Sequence, residues 1–407
     1  MRILSRIWQS SLARQFATLL SGRFVAAGIQ AASIYLLARW SKVEDFGLVS
    51  SALGVSVTLQ AIGDAGVTMF IVRETAAHGV NRKVAYAELM SRIVIAGVVA
   101  FSVAVVLVLT FATDAKYIAL LPLSLWIALD RSSDIRSAIA RGLGDVRMGT
   151  INLVSRRTAQ LVLFVAAFHA GIQIMWAYSL TLLAGSALVL LVMWRKLPRP
   201  PVVPLRVRPI GIAFGRCRPY WVHSAANQLR NLDAAVVATI SGPVQAAFYG
   251  VGARLMTPLR MVPDALATAL LPHLVRQGGP RRKDMSIGLL IAVAMSLPYI
   301  ALVAVAPFVT RHLGSQFEGA TFPLQIMCLG LAGASFIAIF TAILQARKQA
   351  GLVARISVLS AVLLLILVML GTILHGAAGA AIGFTAAIFI QAALVFRGAN
   401  SPHTATP

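Results

Sequence analysis

The chain has 407 residues, 58% of them hydrophobic and 12% charged, where an ordinary soluble domain carries roughly 25% charged residues; its mean hydropathy is +0.83. That composition calls for lipid as solvent, and at about 20 residues per crossing it leaves room for about twelve spans and short loops but not for a large soluble domain as well. The formal charge of +23 does not point to a nucleic-acid partner: the basic residues sit in short clusters between apolar runs, the distribution that orients membrane proteins, rather than in a continuous phosphate-neutralising surface.

The opening stretch MRILSRIWQSSLARQFATLL sets Arg2, Arg6 and Arg14 ahead of an apolar helix, with no short apolar region followed by an Ala-x-Ala cleavage site. A cytoplasmic segment over 1–15 is expected to lead into an uncleaved first span. Six apolar windows follow, near 16–40, 46–71, 88–111, 117–140, 151–169 and 174–194, and make an N-terminal lobe over 16–194. In the fourth, Tyr117 to Leu129 is purely apolar before Asp130, Arg131, Asp134 and Arg136 intervene. The segment 195–218 is a basic linker with prolines at 198, 200, 201, 204 and 209. Such chain is extended and semi-rigid, and its arginines suit anionic head groups. Six more windows, near 219–241, 244–272, 285–308, 320–346, 352–374 and 376–396, make a C-terminal lobe over 219–396, followed by a tail over 397–407.

Alternate loops differ in charge. One set holds Arg73, Arg82 and Lys83; Arg141, Arg147, Arg156 and Arg157; Arg195 through Arg218; Arg276 through Lys283; and Arg347, Lys348 and Arg355, while the other holds only Arg39, Lys42, Lys116 and Arg311. The asymmetry places the rich loops and both termini in the cytoplasm, which requires an even number of spans. The two halves also resemble each other weakly: Phe46-Gly47-Leu48-Val49 falls opposite Phe248-Tyr249-Gly250-Val251, Asp64 falls within two positions of Asp264 after the shift, and Ile139-Ala140-Arg141-Gly142 aligns with Ile343-Leu344-Gln345-Ala346. With an even number of spans in each half the repeat is parallel, and a cavity is expected between two six-helix lobes.

An ionisable side chain near the centre of a span costs about 2.5–3.5 kcal/mol even on the lenient insertion scale, so the charged residues within the windows mark the candidate site. The cations are Arg23 on span 1, Arg131 and Arg136 on span 4, Arg230 on span 7, and Arg254 and Arg260 on span 8; the carboxylates are Asp64, Asp130, Asp134, Asp233 and Asp264. Arg230 with Asp233 and Arg260 with Asp264 share helical faces and can form internal pairs, which is a structural role as readily as a functional one. Asn227, Arg230, Asn231 and Ala234 form a polar stripe, and Gln30 and Gln60 add polar groups to spans 1 and 2. Arg23 and Arg254 have no evident partner, and Arg131 and Arg136 have only Asp130 and Asp134 nearby. A planar guanidinium facing a cavity matches phosphate oxygens, so a phosphorylated substrate is favoured. The alternative is that 130–157 is an amphipathic surface helix with solvated charges. Pro258 and Pro263 are expected to interrupt span 8, and Gly22, Gly28, Gly54, Gly63 and Gly66 to interrupt spans 1 and 2, as bends that would suit alternating access.

No nucleotide-binding loop, zinc-protease helix or dinucleotide fingerprint occurs, the histidines lack ligand spacing, and Cys217 and Cys328 offer no disulfide framework. No cofactor is implied.

The stretches SGRFVAAGIQAASIYLLARWSKVEDFGLVSSALG and LDAAVVATISGPVQAAFYGVGARLMTPLRMVPDALATALLPHL carry Glu44-Asp45-Phe46-Gly47, Tyr249-Gly250 with downstream Arg254 and Pro258, and Pro272 closing span 8. In these the chain resembles the polysaccharide and O-antigen flippases of the multidrug/oligosaccharidyl-lipid/polysaccharide exporter superfamily. The resemblance implies an all-α polytopic membrane protein, two six-helix lobes in a V, and a bacterial cytoplasmic-membrane flippase for an oligosaccharide on undecaprenyl pyrophosphate. In that role Arg23, Arg131, Arg136, Arg230, Arg254 and Arg260 would bind pyrophosphate or acidic sugar; Asp64, Asp130, Asp233 and Asp264 would be charge partners or coupling groups for H+ or Na+; and Gln30, Gln60, Asn227 and Asn231 would line the cavity. Membrane lipids and a polysaccharide polymerase are further expected partners. Two alternatives stand beside it: a cation-coupled multidrug exporter of the same superfamily, and a membrane enzyme or scaffold of polysaccharide assembly.

Overall fold

The computed structural model describes residues 11–276, 282–347 and 349–400; the expected cytoplasmic start over 1–10, the end of the tail from 401 and part of the basic loop after Arg276 lie outside the described residues. All regular structure among the described residues is helical. In chain order the helices are α1 (Ser11–Trp40), α2 (Val43–Asp64), α3 (Val67–His78), α4 (Arg82–Ala112), α5 (Leu121–Gly142), α6 (Val146–His169), α7 (Ile174–Lys196), α8 (Val207–Gln228), α9 (Asp233–Arg276), α10 (Arg282–Leu313), α11 (Thr321–Ala346) and α12 (Ala350–Asn400), with 3₁₀ turns at Ala115–Leu120, Leu229–Leu232 and Ser315–Ala320.

Helices and spans do not correspond one to one. Span 2 is α2 followed by α3, span 7 joins the end of α8 to the start of α9 through a 3₁₀ turn, and α9 and α12 each hold two spans, because their backbones leave helical geometry at Gly242 and at His375–Gly376 respectively. Among the described residues eight helices are long and apolar enough to cross a membrane, and the chain is a multi-pass membrane protein. The breaks have local causes. Between α2 and α3 the backbone turns left-handed at Ala65 (φ 48°) and Gly66 (φ 76°), and a Cβ on Gly66 would overlap the carbonyl of Cys217 on α8, so only glycine serves there. Asn81 starts α4 by accepting from the Lys83 and Val84 amides at 2.9 and 3.2 Å, and Asp145 starts α6 by accepting from the Met148 amide at 3.0 Å; each satisfies amides the helix itself leaves unbonded.

The contacts resolve into two compact units. The first comprises residues 1–33 and 55–228, the second 34–54 and 229–407. The sequence-based division at 195–218 kept spans 1 and 2 whole within the N-terminal lobe; by contact, the end of α1 and the start of α2 cluster with the second unit. In the first unit, α3, α4, α5 and α8 enclose a core of Val67, Phe70, Ile71, Val84, Met90, Ile135 and Ile139 with Cys217. In the second, α11 is central, packing on α9, α10 and α12 around Ile339, Phe340, Ile343 and Leu344. The two arms of α12 lie close enough that a Cβ on Gly371 would overlap the Gly379 carbonyl, the small-residue packing that replaces a hydrophobic driving force in lipid.

Three expectations change. Pro258 and Pro263 do not break span 8: the non-helical residue of α9 is Gly242, because proline's fixed φ is itself helical and costs one backbone bond rather than the helix. Of the five glycines on spans 1 and 2, Gly66 alone has a left-handed backbone. The stretch 130–157 is not one amphipathic surface helix: it is divided between α5 and α6 around Gly144 (φ 86°), and Asp130 and Arg156 are buried.

Candidate functional site

Each unit carries its own constellation of charges. In the first, Asp130, Arg131 and Asp134 lie within one turn of α5, and Arg156 approaches from α6. Its Nη1 donates to Asp130 Oδ1 at 2.5 Å and to the Asp130 carbonyl at 3.2 Å, and its Nη2 donates to Asp134 Oδ1 at 2.7 Å. Asp130 also accepts from Ser186 of α7 at 3.3 Å, and Ser186 in turn accepts from the Trp126 indole at 3.1 Å. Arg131 donates to Asp134 on its own helix, and its Nη1 stands 3.5 Å from Asp64 Oδ1. Asp64, the last residue of α2, accepts from the Thr68 amide at 3.3 Å and from the Thr68 hydroxyl, so its charge faces the start of α3, where helix amides favour an anion.

Arg141 and Arg23 extend the electrostatics of this group. Arg141 is placed to feel Asp134, Arg23, Arg131 and Arg156, giving four guanidiniums against three carboxylates. Two donors, Nε of Arg131 and Nε of Arg156, are buried with no hydrogen-bond partner among the described residues. Arg23 is exposed and Gln30 half-exposed on α1, while Gln60 is 5% exposed with its Nε2 lacking a partner among the described residues.

Arg136, on the other side of α5, does not join this group. Its Nη2 lies 3.5 Å from Glu88 of α4, its Nη1 donates to the Pro198 carbonyl at 3.3 Å, and its guanidinium sits 5.9 Å from the Trp194 ring centre.

In the second unit, Asp233 at the start of α9 accepts from the Tyr249 hydroxyl at 2.8 Å and from the Ala234 amide at 2.7 Å. The Gly242 break folds the two arms of α9 together and lets residues sixteen apart meet. Arg254 donates to the carbonyl of Ser50 on α2 and, through Nε, to the Ser50 hydroxyl at 3.3 Å. Ser51 donates to the Ala234 carbonyl at 3.1 Å, and a Cβ on Gly54 would overlap the Asn231 carbonyl, so this part of α2 lies directly on the chain around Asn231–Ala234. Arg230 is within electrostatic reach of Arg260, Asp264 and Asp233, and Asp233 is within reach of Arg254 and Arg260. Among the described residues three guanidiniums face two carboxylates in this group, again one positive charge in excess. Arg230, Arg260 and Asn231 are half-buried and Asp264 is exposed; the side chain of Asn227 lies outside the described residues, as do those of Pro258 and Pro272.

The polar stripe expected from Asn227 to Ala234 does not lie on one α-helix, because Leu229–Leu232 is a 3₁₀ turn, which has three residues per turn and resets the face. Arg131 and Arg136, which had only neighbours on their own span as evident partners, are bonded to other helices: Arg131 to Asp64, Arg136 to Glu88. Arg156, which by sequence falls among the charges of a basic loop, belongs to the first constellation. A signal was present: Asn152, Arg156 and Gln160 recur every four residues, one face of a helix, and all three are buried. Asn152 donates to the Ser133 carbonyl at 3.0 Å and to the Ser137 hydroxyl at 2.6 Å, while Gln160 donates to Ser33 at 2.7 Å. Among the described residues no group of His, Cys, Asp and Glu could hold a metal ion.

Among the described residues twelve helices carry two constellations of charged side chains, an all-α polytopic fold. The chain is similar over 94% of its length to a multidrug resistance MATE family transporter of the MOP superfamily in an inward-facing conformation, at 16% identity and a TM-score of 0.71, covering 97% of that chain. It is similar at 13% identity and a TM-score of 0.73 to the lipid II flippase MurJ in an inward closed conformation, covering 94% of this chain and 87% of that one. It also resembles a MOP superfamily transporter from Pyrococcus furiosus, described as having a binding pocket of reversed polarity, at 14% identity and a TM-score of 0.61, over 95% of this chain and 94% of the other. No curated protein matches the chain. Residues 12–277 match the family described as polysaccharide biosynthesis protein, and the chain belongs to that family.

Proposed function

We propose that this protein is a flippase that moves an undecaprenyl-pyrophosphate-linked oligosaccharide from the cytoplasmic to the periplasmic leaflet of a bacterial inner membrane, by alternating access, for assembly of a surface or secreted polysaccharide. Family membership supplies the polysaccharide context. The observation that carries the anionic substrate is the state of the membrane carboxylates: Asp64, Asp130, Asp134 and Asp233 are each bonded to a guanidinium, hydroxyl or amide of their own unit, and Asp264 lies within reach of Arg230. An exporter of organic cations needs carboxylates for its cargo; here each constellation instead has one guanidinium in excess.

In this reading Arg23, Arg230, Arg254 and Arg260 attract pyrophosphate or acidic sugar, while Arg131 and Arg156 hold helices together and contribute field. Both termini lie in the cytoplasm, so an anionic head group moving outward follows an inside-negative potential, worth about 2.3 kcal/mol per charge per 100 mV. The polyprenyl tail stays in lipid throughout, and the protein shelters only the polar head. Coupling to H+ or Na+ and cooperation with a polymerase fit the same reading.

The test is deletion of the gene followed by extraction of undecaprenyl-linked oligosaccharides, with complementation by wild type, Arg23→Ala, Arg230→Ala and Arg254→Ala at matched membrane abundance. Complete repeat units accumulating on the cytoplasmic leaflet, relieved by wild type but not by the arginine variants, are expected. Unchanged lipid-linked pools in a strain with no second flippase would overturn the reading and favour the multidrug exporter.

A further inference from the structure

The strongest feature outside both constellations is a cavity in the first unit of about 340 Å³, lined by Glu88 and Arg92 of α4, Arg136 of α5, Trp194 of α7, and Arg199 and Val203 of the linker, among others. It exceeds many times the ~15 Å³ that admits one water. Its charges are unbalanced: three guanidiniums face one carboxylate. One oxygen of that carboxylate is engaged, since Glu88 Oε1 takes Arg92 at 2.5 Å and Arg136 at 3.5 Å, while Oε2 is buried with no hydrogen-bond partner among the described residues. Arg199 is left over the Trp194 ring at 5.5 Å, with Arg136 near the same ring at 5.9 Å, and Arg92 and Arg199 both lie close enough to repel Arg136. Among the described residues nothing else lining the cavity is negative, so an anion there would relieve that repulsion.

Position narrows the class of anion. The lining comes from the first turns of α4, the last turns of α5 and α7, and the proline-rich linker, all at one end of the helix bundle. An exposed tryptophan beside exposed arginines and the apolar Leu89, Val202 and Val203 is the composition of a membrane interface, and a basic pocket between helices at that level fits a lipid phosphate.

We propose that this cavity is a binding site for a phosphate group, supplied by the head group of an anionic glycerophospholipid, in which Arg92 and Arg199 grip the phosphate oxygens and Trp194 holds the linker over it. The linker is thereby fastened to the bundle by lipid as well as by the Arg136–Pro198 hydrogen bond. This does not depend on the flippase reading.

The experiment uses the full chain, purified and delipidated in detergent. Native mass spectrometry counts adducts of phosphatidylglycerol and phosphatidylcholine, and a parallel titration adds inorganic phosphate alone. Wild type, Arg92→Gln/Arg199→Gln and a control, Arg206→Gln/Arg208→Gln, are compared. The expected result is preferential retention of phosphatidylglycerol that falls about tenfold in the first variant and is unchanged in the control, whose arginines, at the end of the linker and in the first turn of α8, lie outside the cavity. Binding of inorganic phosphate, lost in the same variant, with no lipid preference would support the phosphate site and replace its source. No preference for either anion, or equal loss in both variants, would overturn the proposal. If the double variant is poorly produced, Arg199→Gln, at an exposed linker position, gives the same comparison.

Discussion

Arg156 Nη1 lies 2.5 Å from Asp130 Oδ1, joining α6 to α5 deep inside the first unit, with both residues 8% exposed. Removing one member of a buried pair leaves the other charge uncompensated, at a cost of about 3–5 kcal/mol, whereas removing both with apolar replacements is often neutral. Arg156→Leu is therefore expected to lower the thermal unfolding temperature in detergent sharply, and Arg156→Leu/Asp130→Leu to recover part of the loss, with Asp134 still held by Arg131. Equal losses in single and double variants would show that the pair does not couple α5 to α6.

The second unit offers a milder test of the same physics. Tyr249→Phe deletes the hydroxyl that donates to Asp233 at 2.8 Å while keeping the ring packed against Phe384. A buried acceptor losing one donor costs about 1–3 kcal/mol. The loss should be smaller in an Asp233→Asn background, where no full charge is left under-bonded; a thermal-shift double-mutant cycle measures the difference.

Cys217 is fully buried against the α2–α3 break, and its thiol is pushed up to about 12, first by burial and then by the charge of Asp64. Since the thiolate is the nucleophile, a maleimide at neutral pH should leave Cys217 unmodified in the folded protein, and Cys328, buried within α11, should be shielded by access alone. Both should label after denaturation in dodecyl sulfate. Rapid labelling of the native protein, read by mass shift, would mean that α8 leaves the break.

Glu74, at the end of α3, accepts from Asn81 at 3.1 Å and lies 3.2 Å from Lys83 and 3.4 Å from His78. Burial raises its pKa, but the Asn81 hydrogen bond together with Lys83 and His78 outweighs that, and the net shift is downward from 4.5. A carboxylate with a depressed folded value contributes stability that is fully present above its unfolded value and disappears as pH falls through the folded one. Glu74→Gln should thus lower the melting temperature slightly at pH 7, and the gap from wild type should close as the medium is taken well below pH 4.5.

Composition and hydropathy were sufficient for the membrane solvent and the helical class, because a bilayer leaves the backbone no alternative to internal hydrogen bonding. The intramembrane charges were legible for the same reason: a residue as costly as Asp130 stands out against its apolar run in one dimension. Its partner did not. Arg156 is set among Arg147 and Arg157 and looks like loop charge until α6 is laid on α5, and Asp233 finds Tyr249 only because α9 turns at Gly242. Residues 34–54 likewise read as the ends of two N-terminal spans, although their contacts assign them to the second unit. Solvent preference is a sum over residues and can be read along a chain. Which guanidinium neutralises which carboxylate depends on where helices cross, and the local pattern of α5, α6 or α9 does not contain that crossing.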